Sequence, residues 1–289
     1  ALVSLLAARL GEIRDNEEIR RLLSSTTIVD CSDGIFRTAS EVYFPSEIIS
    51  VLGNDVHIAK LSADDKESVR ALYAWLGVTD NPRLQDILER VKFLVAKPPT
   101  KHTVEAIEKV FTYLANQWVI WDETQHAYFE ELRQIRWLPG TSGPEHWHSP
   151  GALFPIFRDY LFASEGNFLA FSRPTQNQSS DLRKFLGMDR KIPPIYVVRQ
   201  LLHCSQHNER VNKEVYDFLN TEVDVEDPAL GNLEGRACLL LPNDDEIRYV
   251  RPDQVFWGEH PFGRFRFSLD PEFRQFDALF RRLGVRENQ

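Results

Sequence analysis

Three stretches of nine residues share one pattern, and this internal repetition limits the possible folds more than any other feature of the chain. They lie at 36–44, 147–155 and 249–257. Each begins with an aromatic residue and has Ala or Pro fourth, Val or Leu seventh and Tyr or Phe eighth. Because self-similarity at a roughly constant spacing is the signature of repeated structural units, we expect one unit to occur several times.

A second landmark follows each stretch: an apolar tripeptide with glycine in the middle, which we call the closure. The closures are Leu-Gly-Val or Leu-Gly-Met, at 76–78, 186–188 and 283–285. A serine that ends an apolar run precedes each closing leucine by 14, 14 and 15 residues; the serines are Ser62, Ser172 and Ser268. The landmarks predict three units, at 1–100, 101–206 and 207–289. The first lacks a matching start and the last stops after its closure, so we expect a piece of a longer array.

Within one unit the pattern predicts helices followed by a small sheet. Apolar residues at helical spacing predict a helix over 103–117, with Thr103 as its N-cap, and a second helix over 126–134. Apolar runs stopped by Pro139 and Pro242 predict strands that pair with the aromatic stretches as hairpins. A third short strand and a last helix complete the unit. The expected class is α+β: about three tandem units, each helices plus a small antiparallel β-hairpin or sheet.

The composition argues against several classes of protein. The formal net charge is −9, so the chain lacks the overall basic field with which proteins bind nucleic acid or anionic membranes. No apolar run approaches about 18 residues, and no secretory signal opens the chain, so no membrane association is expected. Cys31, Cys204 and Cys238 lie far apart and in no C-x-x-C pattern, which indicates reduced thiols and a cytoplasmic location.

The segment Glu-His-Trp-His at 145–148 is the first candidate for chemistry. On a strand, His146 and His148 would share one face and Glu145 would point to the other, which makes Glu145 a poor third metal ligand. In the other two stretches the histidine positions hold unrelated residues: Ile35 and Arg37, then Arg248 and Val250. This variation favours two incidental, partly exposed imidazoles.

His203 and His207 are the second candidate pair. Four residues apart on a predicted helix, they have a spacing at which two imidazoles can share one metal ion, although the helix is expected to end near Ser205. We assign no catalytic, cofactor-binding or metal-binding residue and expect no cofactor. A metal-dependent hydrolase or nuclease domain that uses His146/His148 or His203/His207 is the alternative.

The repeated motifs resemble the regions downstream of the ATPase module in large sacsin-like proteins, which carry an Hsp90-type ATP-binding fold near the N-terminus. The resembling residues are Trp137-Leu-Pro139 with Trp147, Pro150, Leu153 and Phe154, their counterparts Leu241-Pro242 with Pro252, Val255 and Phe256, and the closures. The ATPase signatures of that family, an Asn-bearing helix and an Asp-x-Gly-x-Gly loop, are absent from this sequence, so no nucleotide site is carried over. The resemblance implies a scaffold or client-contacting segment of a chaperone-like or defence protein.

The expected function is therefore a non-catalytic tandem-repeat scaffold that contacts a protein partner or other domains of its parent chain. Catalysis needs a unique constellation, and the polar positions here vary between units. Helices followed by a hairpin can also resemble a winged-helix DNA-contacting module, but the acidic net charge makes nucleic acid an unexpected partner.

Overall fold

The computed structural model describes residues 2–61, 66–118, 126–241, 246–258, 266–269 and 271–287, and the fold is α+β, as the sequence predicted. The helices are α1 (Leu2–Ala8), α2 (Leu10–Ile13), α3 (Glu17–Ser24), α4 (Lys66–Leu76), α5 (Leu84–Val95), α6 (Lys101–Gln117), α7 (His126–Gln134), α8 (Arg173–Asn177), α9 (Ser180–Phe185), α10 (Pro194–His207), α11 (Lys213–Thr221) and α12 (Asp277–Leu283). The strands are β1 (Val29–Asp30), β2 (Phe36–Arg37), β3 (Val42–Tyr43), β4 (His57–Ile58), β5 (Leu138–Pro139), β6 (Trp147–His148), β7 (Leu239–Leu240), β8 (Tyr249–Val250), β9 (Val255–Phe256) and β10 (Phe267–Ser268). Two compact units, Ala1–Trp137 and Leu138–Gln289, divide the chain, and the repeat boundaries given above stay a prediction.

Three antiparallel hairpins have the same register. β1 pairs with β2, β5 with β6 and β7 with β8, and each motif aromatic faces the second residue of the preceding strand. The facing pairs are Phe36 with Asp30, Trp147 with Pro139, and Tyr249 with Leu240. We call the stretches from each hairpin to its closure the first segment (29–80), the middle segment (138–190) and the third segment (239–287).

After each hairpin the chain makes one 3-10 turn and then pairs in parallel with a later strand. β3 pairs with β4, β9 with β10, and Phe154 forms a parallel bridge with Phe168. An equivalent backbone hydrogen bond occurs three times: Ala59 N to Tyr43 O at 2.8 Å, Leu169 N to Phe154 O at 2.9 Å, and Leu269 N to Phe256 O at 2.7 Å. The sequence predicted an antiparallel sheet, but a connection of about a dozen residues lets the third strand run parallel.

This pairing corrects one landmark of the sequence. Because β10 occupies the place of β4, Ser268 corresponds to Ile58 and not to Ser172. The third segment reaches its closure through a short 3-10 turn, Pro271–Gln275, and α12, so fewer residues separate its last strand from the closing glycine.

Two helix ends also differ from the sequence prediction. Thr100, not Thr103, is the N-cap of α6, since Thr100 Oγ1 accepts a hydrogen bond from Thr103 N at 3.2 Å. α10 continues beyond Ser205 and ends at Asn208, whose left-handed backbone (φ 53°) is the conformation that asparagine tolerates best after glycine.

In the N-terminal unit, α1 and α3 pack against α4, while α5 packs against α6 and α7. Buried residues of the first hairpin and α4 form one core, in which Tyr73 accepts a hydrogen bond from Asp30 N at 3.1 Å. None of the helices in the described ranges has the length and apolar character needed to cross a bilayer.

In the C-terminal unit, α10 packs against α11 and the 3-10 turn Pro228–Leu233, and α11 packs against α12. Tyr216 of α11 is fully buried; its hydroxyl donates to Cys238 O at 2.8 Å and accepts from Leu240 N at 3.0 Å, and burial raises the pKa of Tyr216 well above its ordinary value. These bonds tie the helix to the first strand of the third hairpin.

Each closure has the same helix-ending hydrogen bond. Val78 N donates to Tyr73 O, Met188 N to Arg183 O and Val285 N to Phe280 O, at 2.9 to 3.0 Å. The intervening glycines have positive φ, a conformation that glycine adopts without strain. These bonds make Tyr73, Arg183 and Phe280 equivalent positions in the three segments.

Candidate functional site

The histidines beside Trp147 have different surroundings. His146 is largely exposed, and its Nε2 lies 3.5 Å from Glu145 Oε1. Glu145 and His146 both precede β6, so strand alternation, from which the sequence predicted their faces, does not apply to either residue. His148 is half-buried: Asn167 Nδ2 donates to its Nδ1 at 3.3 Å, and its Nε2 donates to Gly143 O at 3.2 Å. One ring nitrogen of His148 therefore holds the turn between the strands, and the other holds the side chain of Asn167.

His203 and His207 do lie together. Their ring centroids are 4.2 Å apart, and His207 Nδ1 donates to His203 O at 2.9 Å, as neighbouring turns of α10 allow. A metal ion would need a third ligand. Within the described ranges, no group of three or more His, Cys, Asp or Glu side chains is placed to hold an ion.

The three cysteines are buried, free thiols. Burial raises the pKa of Cys31 and Cys204 above the ordinary value and the pKa of Cys238 to about 12. Because the thiolate is the nucleophile, these protonated side chains behave as small apolar packing residues at neutral pH.

A contact that sequence reasoning missed joins the closing helix to the end of the strand in the first and third segments: one guanidinium contacts both an aromatic ring and a carboxylate. In the first segment, Arg70 Cζ is 4.1 Å from the centroid of Phe44, and Arg70 Nη2 donates to both oxygens of Asp80 at 2.8 Å. In the third segment, Arg281 lies over Trp257 at 5.5 Å and pairs with the carboxylate of Glu287.

In the middle segment a buried arginine also contacts a ring and a carboxylate, but the ring belongs to the 3-10 helix Ile156–Leu161 and not to the strand. Arg183 is 4% exposed, lies 5.2 Å from the ring of Phe157 and donates from Nε to Asp189 Oδ1 at 3.4 Å. Its Nη1 also donates to the carbonyl oxygen of Gln176 and, at 3.3 Å, to Ser179 Oγ. The only sequence signal for this site was an arginine four residues before the closing glycine, where the other segments have Tyr73 and Phe280.

The middle segment also differs at the edge of its strand. In the first and third segments the last residue of the nine-residue stretch donates its N–H to the residue after the closure, from Phe44 to Thr79 O and from Trp257 to Arg286 O, both at 3.0 Å. Pro155 holds this place in the middle segment and has no N–H to donate. A cavity of about 270 Å³ lies against Pro155.

Two larger open cavities lie in the N-terminal unit. One, of about 480 Å³, lies between the 3-10 helix Glu47–Leu52 and α6. The other, of about 420 Å³, lies beside Tyr43, whose hydroxyl donates to the carboxylate of Asp86. Burial and this hydrogen bond raise the pKa of Tyr43 to about 12, so the phenol stays protonated and serves as a structural donor at neutral pH.

Comparison with family models, with curated proteins and with solved structures gave no match for this chain. The functional argument therefore depends on the segments themselves. Their backbones agree in the hairpin, the parallel bridge and the closure, whereas their side chains differ most at Arg183 and Pro155 of the middle segment.

Proposed function

We propose that this chain is a non-catalytic tandem-repeat scaffold for protein–protein contacts, a segment of a larger sacsin-like chaperone or defence protein that acts in the cytoplasm. The recurrence of one backbone arrangement carries this proposal: three hairpins share a register and three parallel bridges share a hydrogen bond. Repeated units that stack on their neighbours expose extended surfaces for partners. The partners are proteins or other domains of the parent chain, since the net charge of −9 disfavours nucleic acid.

The side chains at equivalent positions support a scaffold over an enzyme. Arg37, His148 and Val250 occupy the same place in the three hairpins, so the position is not committed to one chemistry. A catalytic site brings a nucleophile, a base and an orienting group together. The ring nitrogens of His148 are already engaged within the fold, and the buried thiols are protonated.

The alternative is a metal-dependent hydrolase or nuclease, which the 4.2 Å separation of the His203 and His207 rings favours. Elemental analysis of the purified full chain, with ester and phosphodiester hydrolysis assayed in added Zn²⁺ or Mn²⁺, tests the two functions. We expect no stoichiometric metal and no histidine-dependent turnover. Stoichiometric zinc or manganese that H203A/H207A or H146A/H148A removes, together with turnover that the same change abolishes, would replace the scaffold with the enzyme.

A further inference from the structure

We infer that the cavity against Pro155 binds a peptide segment of a partner protein in which an aromatic side chain lies next to a carboxylate. The inference rests on the proposed function, because it names the partner chemistry of one scaffold surface. Four observations carry it: the size of the cavity, its aromatic lining, an incomplete arginine contact and the local charge.

The size and lining suit one aromatic side chain. The cavity, about 270 Å³, is smaller than the roughly 300–1,000 Å³ of pockets that hold drug-sized ligands and cofactors. Phe154, Phe162 and Ile192 line it, and Phe157, 43% exposed, stands at the same site. Phe154 and Phe162 already pack edge to face with centroids 4.8 Å apart, the geometry in which a further ring is also favourable.

Arg190 makes the ring contact that Arg70 and Arg281 make, but not their contact with a carboxylate. Its Cζ lies 4.1 Å from the centroid of Phe154, and its Nη2 donates to Ala152 O at 3.4 Å. Arg70 and Arg281 each combine a ring with a carboxylate. Among the described residues no carboxylate lies within ion-pair distance of Arg190, so a carboxylate from a ligand would complete the arrangement.

The charge around the cavity favours an acidic ligand although the chain as a whole is acidic. Arg158 and Arg190 both line the cavity. Arg158 pairs with Glu222 at 2.6 Å, and Asp189, whose carboxylate also lines the cavity, is engaged by the buried Arg183. The guanidinium of Arg190 therefore presents an uncompensated positive charge beside an aromatic surface, which repels a basic peptide and attracts an acidic one.

Calorimetric titration of the full chain with the blocked peptide acetyl-Gly-Asp-Phe-Asp-Gly-amide tests the inference. We expect saturable binding by the wild type. Binding should be at least about tenfold weaker in R190A, because this variant loses one charge-assisted hydrogen bond to the peptide. The matched control R173A removes an exposed arginine outside the cavity and should leave binding unchanged. R190E should bind the Lys-Phe-Lys version of the peptide better than the wild type does.

A second pair of measurements guards against a misfolded variant and identifies the recognised group. Thermal melts of R190A and R173A should coincide with the wild type, and the peptides with Asp changed to Asn or Phe changed to Ala should both bind at least about tenfold more weakly. Pro155→Trp, which installs the residue of the third segment, should fill the cavity and abolish binding. Equal affinity for R190A and wild type, or no binding at millimolar peptide, overturns the inference.

Two further measurements distinguish the peptide site from a site for a small aromatic acid and test the scaffold against the metal-dependent enzyme. Binding of free phenylacetate with no binding of the peptide would assign the cavity to a small aromatic acid and overturn the peptide assignment. Metal content measured on the same preparation tests the proposed function independently. If a chain with stoichiometric, histidine-dependent zinc binds the peptide, the peptide site is retained and the scaffold function is overturned. If a metal-free chain does not bind the peptide, only the peptide site is overturned.

Discussion

The middle and third segments build the same backbone around different interiors. Where the third segment buries Phe280 among aromatic rings, with centroids 5.6 Å from Tyr216 and 6.0 Å from Phe276, the middle segment buries Arg183. Where the third segment has Trp257 at the strand edge, the middle one has Pro155 and a cavity. The difference shows that hairpin and closure tolerate either an apolar or a polar interior, provided that each buried polar group finds a partner.

The polar interior of the middle segment meets that condition. Gln176, with no exposed surface, donates from Nε2 to Leu169 O at 3.0 Å and Phe171 O at 2.9 Å and accepts at Oε1 from Ile156 N at 2.8 Å. Arg183 donates to the backbone oxygen of the same residue. A satisfied network of this kind holds one geometry, because every alternative leaves a buried group unpaired. It therefore positions the strand beside the cavity.

The largest expected effect is a loss of cooperative folding when the third segment is separated from α10. Val197 and Leu201 of α10 belong to the same core as Tyr216 and Leu230, so a fragment 207–289 loses one wall of that core. We expect this fragment to show no cooperative thermal transition by circular dichroism, whereas 138–289 melts cooperatively. A cooperative melt of 207–289 would show that the third segment is self-sufficient, and the two segments could not then be compared as parts of one core.

The next effect tests the polar interior directly. Arg183→Ala removes a buried guanidinium and leaves the oxygen of Gln176 and the hydroxyl of Ser179 without that donor, so it should lower the free energy of unfolding by about 3 kcal/mol. Lys184→Ala, an exposed neighbour on α9, should change it by less than about 0.5 kcal/mol.

Urea denaturation of the full chain measures both variants of α9. Arg183→Phe, which copies the third segment, separates the two interiors further: recovery to wild-type stability would show that the aromatic and polar interiors are interchangeable at this position. A loss below about 0.5 kcal/mol for Arg183→Ala would contradict a structural role for the network.

Sequence patterns could anticipate the backbone of these segments better than their interiors. The aromatic of each hairpin could be predicted because period-two pairing is local. Pro139 lies within β5 and pairs with Trp147 instead of ending the strand before it, and Pro242 lies outside the described residues. The burial of Arg183 was not readable, since its partners, Gln176 O and Ser179, are set by the path of α8 and α9. Pro155 was visible in the motif, but its missing N–H matters only because the residue after the closure accepts the equivalent N–H in the other two segments.

A smaller effect, dependent on pH, distinguishes the two hairpin aromatics. Tyr249 accepts from Val211 N at 3.0 Å and donates to Glu209 O at 2.7 Å, and burial raises the pKa of Tyr249 to about 12. A pKa raised above the unfolded value of about 10 gives stability that is complete below about pH 10 and is lost as the pH rises through 12.

The stability difference between wild type and Tyr249→Phe should therefore shrink between about pH 10 and 12, because the variant lacks this phenol. Urea denaturation across this range checks it, and other tyrosines cancel because both proteins contain them. Trp147→Phe at the equivalent place removes no phenol and should show a constant difference from the wild type. A constant difference for Tyr249→Phe as well would mean that its hydroxyl is not coupled to folding.

The smallest effect is expected at Arg281, which pairs with two carboxylates. Arg281 Nε donates to Asp277 Oδ1 at 2.6 Å and its guanidinium also pairs with Glu287, but the side chain is 55% exposed, against 4% for Arg183. Exposed pairs contribute about 0–1 kcal/mol because water screens them, so Arg281→Ala should cost at most about 1 kcal/mol. In 1 M NaCl, where the Debye length is about 3 Å, that cost should fall further, while the cost of Arg183→Ala stays unchanged. Suppose that Arg281→Ala lowers the free energy of unfolding more than Arg183→Ala does at either salt concentration. The number of ion pairs, and not their burial, would then determine what these arginines contribute to stability, and the buried polar network of the middle segment would have no special role.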